Sequence, residues 1–249
     1  VEIITHDKVA PETLEALYNW CMKAKKTPVV VKDGPGFLVN RILMPFMNEA
    51  GFLLEEGVPM KDIDDACLNF GMPMGPCRLL DEVGIDVGEK VAKIIHDGLG
   101  DRVKGSPFSS KLVEKNFLGK KNGKGFYIYD KRGKVEGPNE EVQAMLPTTK
   151  KKMDETEIQM RIFLPMINEA ATVLADGIVS SAAEVDLGLI FGIGFPPFRG
   201  GMLRYADSEG LDRLVNAMEE RATSVDKDRY TPCAYLKDLV ANKKKFYDV

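Results

Sequence analysis

A chain of 249 residues that is 44% hydrophobic and 29% charged is long enough to bury one large or two small cores and reads as a globular protein. Its net charge of −4 gives no global affinity for nucleic acid or an anionic membrane surface, and the short basic runs at 150–152 and 243–245 read as solvated faces or linkers. The four cysteines lack C-x-x-C spacing and the two histidines, His6 and His96, are too few for a structural metal site; no apolar stretch is long enough to span a bilayer.

In chain order, "VEIIT" reads as a strand, "PETLEALYNWCMKAKK" as an amphipathic helix with Pro11 in its first turn, and "TPVVVKD" as a second strand. One residue of the first strand stands out. Glu2 sits among Val1, Ile3 and Ile4, where an ionised carboxylate is costly unless a partner compensates it or it faces solvent from an edge. From Phe37 to Glu56 the apolar residues recur at helical spacing, and Gly57 with Pro59 supplies the stop. Further helices are expected at about 60–69, 78–98 and 108–117, and "GKKNGKGFYIYDK" reads as a short strand or hairpin. Residues 131–152, polar and rich in Gly, Pro and Lys, read as a surface connection. Beginning mid-strand without an initiator methionine, the chain looks like a piece of a longer polypeptide.

The strongest internal signal is a repeat. "RILMPFMNEAGFLLEEGVP", from Arg41, returns 120 residues on as "RIFLPMINEAATVLADGIV", from Arg161. "FGMPMGP" at Phe70 is matched by "FGIGFPP" at Phe191, and "DEVGID" at Asp81 by "DSEGLD" at Asp207. Helix patterning alone does not place Pro, Asn-Glu and Phe-Gly in the same order twice, so the chain reads as a duplication. Each amphipathic copy has an apolar face to hide, and the two are expected to pack on each other about an approximate two-fold axis. Arg41 and Arg161 would then be structural, capping helices or pairing with Glu49 or Glu169.

The motifs "VEII", "KTPVVVKDGPGFLVNRIL", "FGMPMGPCRLLDEVGID" and "FLGKKNGKGFYIY" resemble, in order and over nearly the whole chain, the carboxy-terminal part of the L-3-hydroxyacyl-CoA dehydrogenase family. The second copy is similar to the extra carboxy-terminal unit of the multifunctional fatty-acid oxidation α-subunits, which fuse enoyl-CoA hydratase to this dehydrogenase. The resemblance implies a mainly α fold: a strand-helix-strand end of a Rossmann domain (1–34), a first helical dehydrogenase domain (35–130), a linker (131–152) and a second helical copy (153–249). It implies NAD-linked oxidation of 3-hydroxyacyl-CoA to 3-ketoacyl-CoA in an intact parent. NAD would be bound mainly by a Rossmann domain whose G-x-G-x-x-G fingerprint this chain lacks, so the chain alone is expected to be inactive.

The resemblance also assigns residues. Glu2 matches a glutamate that orients the catalytic histidine, a histidine expected upstream of Val1; a fixed carboxylate stabilises the imidazolium and sets its tautomer. Asn40 matches an asparagine that contacts the substrate's reacting end and helps hold the acyl oxygen, beside the alternative that it only caps or decorates the first turn of the long helix. Lys121 matches a lysine near the nicotinamide cofactor, beside the alternative of a solvated lysine in a hairpin turn. Phe191 departs from a substrate-contacting tyrosine in some bacterial relatives and takes no role. A thiolase subunit is implied as a partner, with a helical part monomeric in itself, in the cytoplasm of a bacterium or the matrix of a mitochondrion. Two alternatives stay open: a non-catalytic assembly or dimerisation module of a β-oxidation complex, and a piece of a short-chain 3-hydroxybutyryl-CoA dehydrogenase.

Overall fold

The computed structural model describes residues 1–248. Strand β1 (Glu2–Thr5), helix α1 (Pro11–Lys23) and strand β2 (Val29–Lys32) open the chain. Helices α2 (Val39–Glu55), α3 (Met60–Phe70), α4 (Pro76–Val83), α5 (Ile85–Leu99) and α6 (Phe108–Glu114) follow, then strands β3 (Tyr127–Tyr129) and β4 (Val135–Pro138) and helix α7 (Glu140–Gln143). The rest is helical: α8 (Glu155–Ala175), α9 (Ala182–Ile193), α10 (Met202–Glu209), α11 (Leu211–Ser224), α12 (Lys227–Tyr230) and α13 (Ala234–Ala241).

The contacts group into two compact units, one made of Val1–Leu43 with the chain from Leu164 onward, the other of Met44–Phe163. Each long helix changes unit part-way along, just before an internal proline, Pro45 in α2 and Pro165 in α8. A proline there has no N–H for the carbonyl four residues back, which belongs to Arg41 and to Arg161 respectively.

In the first unit β1 and β2 pair in parallel, Glu2 opposite Val29. Val29 and Val31 are buried, and the Lys32 amide donates to the Ile178 carbonyl at 2.8 Å, tying the sheet to the turn after α8. Arg41, 2% exposed, reaches Glu169 through Nε and Asp176 through Nη2, both at 2.6 Å. Helix α9 begins with a full capping box between Ser181 and Glu184. It approaches the start of α2 closely: a Cβ at Gly188 would lie 2.6 Å from Leu38 Cδ2. The buried Asp186 accepts from the Leu203 and Arg204 amides and from the Tyr247 hydroxyl, and Asp207 accepts from the Phe246 and Tyr247 amides.

The second unit repeats that wiring with the copies' roles exchanged. Arg161, also 2% exposed, reaches Glu56 at 2.7 Å and Glu49 at 3.5 Å, the counterparts of Asp176 and Glu169. Asp64 accepts from the Cys77 and Arg78 amides and the Tyr127 hydroxyl; Asp81 accepts from the Phe126 and Tyr127 amides and the Tyr129 hydroxyl. A side chain at Gly75 would run into the Asp64 backbone, its Cβ 2.4 Å from Asp64 Cα. Phe70 stacks on Phe163 with ring centroids 3.8 Å apart.

Three expectations change. The single helix foreseen over 78–98 is two, α4 and α5, because Gly84 turns the chain with φ of 97°. Helix α6 stops at Glu114, since Asn116 takes a left-handed conformation with φ of 61°. The stretch 131–152 is more than a surface connection: β4 pairs antiparallel with β3, and the buried Asn139 both caps α7 and donates to the Gly125 carbonyl.

Burial pushes the Asp81 carboxyl up from 3.8 to about 6, against the opposite pull of Tyr129, Tyr127, Phe126 and Arg78. A raised folded-state value means that its stabilising contribution is complete below about pH 3.8, the usual carboxylate value, and is lost as pH rises through about 6. Carbon-13 titration of the Asp81 carboxyl should therefore show a midpoint near 6, and a midpoint below 4 would mean that the hydrogen bonds outweigh burial.

Candidate active site

Strand β1 carries Glu2 up to the beginning of α2. The turn through Gly34, Pro35 and Gly36 swings the chain out of β2, Gly36 and Phe37 both at positive φ (76° and 50°), and leaves the first amides of the helix facing the strand. Glu2 Oε1 accepts from the Leu38 amide at 2.8 Å and from the Val39 amide at 3.3 Å. These are donors that the helix itself cannot satisfy, and a carboxylate at a helix amino end also meets the favourable end of the macrodipole. The charge that looked misplaced in an apolar strand thus has its partners across the fold. Oε2 takes no hydrogen bond among the described residues.

Glu2 lines a cleft of about 230 Å³. Thr27 and Val29 form its sheet side, while Val39 of α2 and Leu187 and Phe191 of α9 form the other. Gly188 and Gly192 let α9 come in close: a Cβ at Gly192 would stand 2.9 Å from Val39 Cγ1. Phe191 is 66% exposed at this cleft, an unusual degree for so large an apolar side chain.

Asn40 follows Val39 on α2, but its side chain is exposed and is not part of the cleft wall. Nor does it cap the helix; the cap comes from Glu2 on the neighbouring strand. Lys121 lies in a short 3₁₀ turn of the Met44–Phe163 unit, ion-paired to Asp86. The hydrogen bond from Lys121 holds the Asp86 carboxyl below its usual value. Glu2 and Asn40 are therefore neighbours at one helix end, and Lys121 belongs to a different unit and has a carboxylate partner already. Neither histidine bonds to Glu2: His6 Nδ1 accepts from the Lys8 amide, and His96 Nε2 meets Asp101 at 3.0 Å. Among the described residues no group of three His, Cys, Asp or Glu could hold a metal, and no helix is long and apolar enough to cross a membrane.

Sequence reasoning found Glu2 but missed the wall supplied by Leu187, Gly188 and Gly192. The available signal was the pair of glycines four residues apart in "GLIFGIG", which put a bare stripe on one helix face.

The family model of the 3-hydroxyacyl-CoA dehydrogenase C-terminal domain matches this chain twice, over residues 36–129 and 158–246. The chain belongs to that family. The fatty acid oxidation complex subunit alpha of Vibrio campbellii is 44% identical over 249 residues, covering 100% of this chain and 35% of that protein. The protein of the same name from Idiomarina loihiensis is 47% identical, covering 99% of this chain and 35% of its own length. The chain thus spans about a third of the curated relatives it matches. Among solved structures, the dehydrogenase part of multifunctional enzyme 1 from C. elegans superposes with a TM-score of 0.70 at 26% identity, over 95% of this chain and 55% of that one. The 3-hydroxybutyryl-CoA dehydrogenase of Escherichia coli shares the fold, with a TM-score of 0.80 at 23% identity, over 97% of this chain and 67% of that one.

In this dehydrogenase C-terminal fold the Glu2 cap should be measurable by itself. Glu2→Ala is expected to speed hydrogen exchange at the Leu38 and Val39 amides and to cost about 1 kcal/mol, the usual size of a lost helix cap. Unchanged exchange at both amides would show that Glu2 does not hold the helix end.

Proposed function

We propose that this chain works as the carboxy-terminal portion of an NAD-linked L-3-hydroxyacyl-CoA dehydrogenase of fatty-acid β-oxidation, within a polypeptide that also carries a dinucleotide-binding domain. The observation that carries the reading is the Glu2 carboxylate, with one oxygen fixed by the Leu38 and Val39 amides and the other open at the cleft. Such a group can accept the N–H of an imidazole and hold that ring in one tautomer, with its far nitrogen free to take a proton from a substrate hydroxyl. As the ring becomes imidazolium, a carboxylate that is already oriented stabilises the new charge without reorganising.

Asn40, exposed just past Val39, is assigned to the substrate's acyl oxygen, to which its amide can donate without changing charge. The family implies NAD, which when bound accepts hydride from C3 of the substrate. The G-x-G-x-x-G turn is absent from the sequence, and Lys121 is engaged by Asp86, so the dinucleotide-binding domain is assigned the main part of its binding. The proposed organisation is the end of a Rossmann domain over 1–34, two helical copies over 35–130 and 153–249, and a connection between them. The names of the relatives support membership of a fatty acid oxidation complex. A thiolase subunit as partner and a cytoplasmic setting complete the proposal.

The test uses a polypeptide that joins these residues to a complete dinucleotide-binding domain. Glu2→Gln should lower kcat by about 10²-fold or more and leave KM for 3-hydroxyacyl-CoA nearly unchanged, since the lost interaction strengthens as the imidazole gains charge. Asn40→Ala should damage both constants, and the 249-residue chain alone should form no NADH. Turnover of Glu2→Gln within about twofold of the parent would remove Glu2 from the mechanism.

A further inference from the structure

Helices α5 and α11 are the same element in the two copies. Each follows an eight-residue helix, α4 or α10, across a glycine of nearly identical conformation, Gly84 with φ of 97° and ψ of 119° and Gly210 with φ of 90° and ψ of 114°. Ile85 opens one and Leu211 the other, both buried, which sets the correspondence residue by residue.

The outer faces of the two helices differ. In α5 Val87 is 41% exposed and Ile94 63%, with the half-buried Val91 between them; this i, i+4, i+7 spacing puts all three on one side of the helix, and Val83, 43% exposed, ends α4 just before it. The second copy has Glu209, Arg213, Ala217 and Glu220 at the places of Val83, Val87, Val91 and Ile94. Arg213 is paired with Glu209 at 2.6 Å, and Glu220 is exposed. The fold therefore stands with a charged face here, and its own packing does not call for the valines and the isoleucine. A contiguous row of large apolar side chains on the outside of a helix marks a surface that another element covers.

Length and charge constrain what covers it. On the reading of this chain as part of a polypeptide like the Vibrio campbellii relative, of which it spans 35%, about two thirds of the polypeptide lies outside it, more than one domain of about 100–200 residues. The surface beside Val83 and Val87 is basic. Glu82 is shared by Arg78 at 2.6 Å and Lys120 at 2.9 Å, and Asp86 is held by Lys121. The turn with Lys131, Arg132 and Lys134, whose one carboxylate is Asp130, sits against Lys120: a Cβ at Gly133 would lie 2.6 Å from Lys120 Cε.

We propose that the outer face of α5 seats an amphipathic helix from the part of the polypeptide outside these 249 residues, its apolar side laid along Val87, Val91 and Ile94 and its acidic side toward the cations around Lys120. A helix suits the row because the side chains repeat at helical spacing over about 10 Å, the geometry by which one helix reads another. The inference rests on the chain being part of a longer polypeptide and not on the role given to Glu2, since the face lies in the Met44–Phe163 unit.

Thiol labelling, read site by site by mass spectrometry, tests this. Ile94→Cys is introduced into the 249-residue chain and into the intact polypeptide, with Glu220→Cys at the matching place of α11 as the control. Ile94→Cys should react at least about tenfold more slowly in the intact polypeptide, where only the undocked fraction is open to reagent, and Glu220→Cys at one rate in both. The protection should be independent of protein concentration, as an intramolecular contact requires. Val87→Glu should restore fast labelling of Ile94→Cys in the intact polypeptide and leave the unfolding midpoint of the chain alone unchanged. Equal labelling of Ile94→Cys in the two proteins, protection within the 249-residue chain that grows with its concentration, or protection that needs a separate subunit overturns the proposal. Dehydrogenase activity of the intact polypeptide is a separate readout, so either idea can fail alone.

Discussion

A buried guanidinium sets the start of helix α2. Arg41 can leave water only because Glu169 and Asp176 meet two of its nitrogens at 2.6 Å, and that requirement fixes which turn of α8 faces which turn of α2. Just before Arg41, at the beginning of α2, lie Leu38 and Val39, whose amides hold Glu2. The ion pair, the helix start and the Glu2 cleft all belong to the same unit, so the sequence of dependence runs from Arg41 to the Glu2 carboxylate. A buried pair of this kind often adds little net stability compared with apolar residues of the same shape, whereas losing one partner costs about 3–5 kcal/mol. Its value to this fold lies in register.

The same wiring in the second unit, Arg161 to Glu49 and Glu56, shows that the duplication preserved the electrostatic constraint along with the helices. The buried aspartates follow suit, Asp64 and Asp186 each taking two amides and a tyrosine hydroxyl. Differences between the copies are therefore informative. Phe70 is buried and stacked on Phe163, while its counterpart Phe191 is exposed beside Glu2. The apolar residues that α5 exposes, Val87 and Ile94, are replaced in α11 by the charged Arg213 and Glu220. Each departure from the shared pattern leaves apolar surface open in one copy.

Much of this is legible in the sequence alone. The β-branched runs in "VEIIT" and "PVVVK", the 120-residue echo from Arg41 to Arg161, and a structural role for the two arginines beside Glu49 and Glu169 all follow from composition, order and charge. Glu2 announces itself because a carboxylate in an apolar strand needs a reason. Its actual partners do not, since they are backbone amides that carry no side-chain signal. The break at Gly84 is hidden because apolar spacing continues at helical period on either side, and only the φ of 97° separates α4 from α5. The cleft wall from α9 is remote in sequence, nearly 150 residues from Val39 to Leu187, and no local pattern specifies that contact.

The dependence of the helix start on its buried ion pair is tested most directly by a double-mutant cycle on Arg41 and Glu169, with Arg41→Met, Glu169→Leu and the pair compared by denaturant unfolding. Each single change should be strongly destabilising and the double change much less so, with a coupling energy above about 1 kcal/mol. Effects that simply add, within about 0.5 kcal/mol, would mean that the two side chains do not depend on each other and would contradict that dependence.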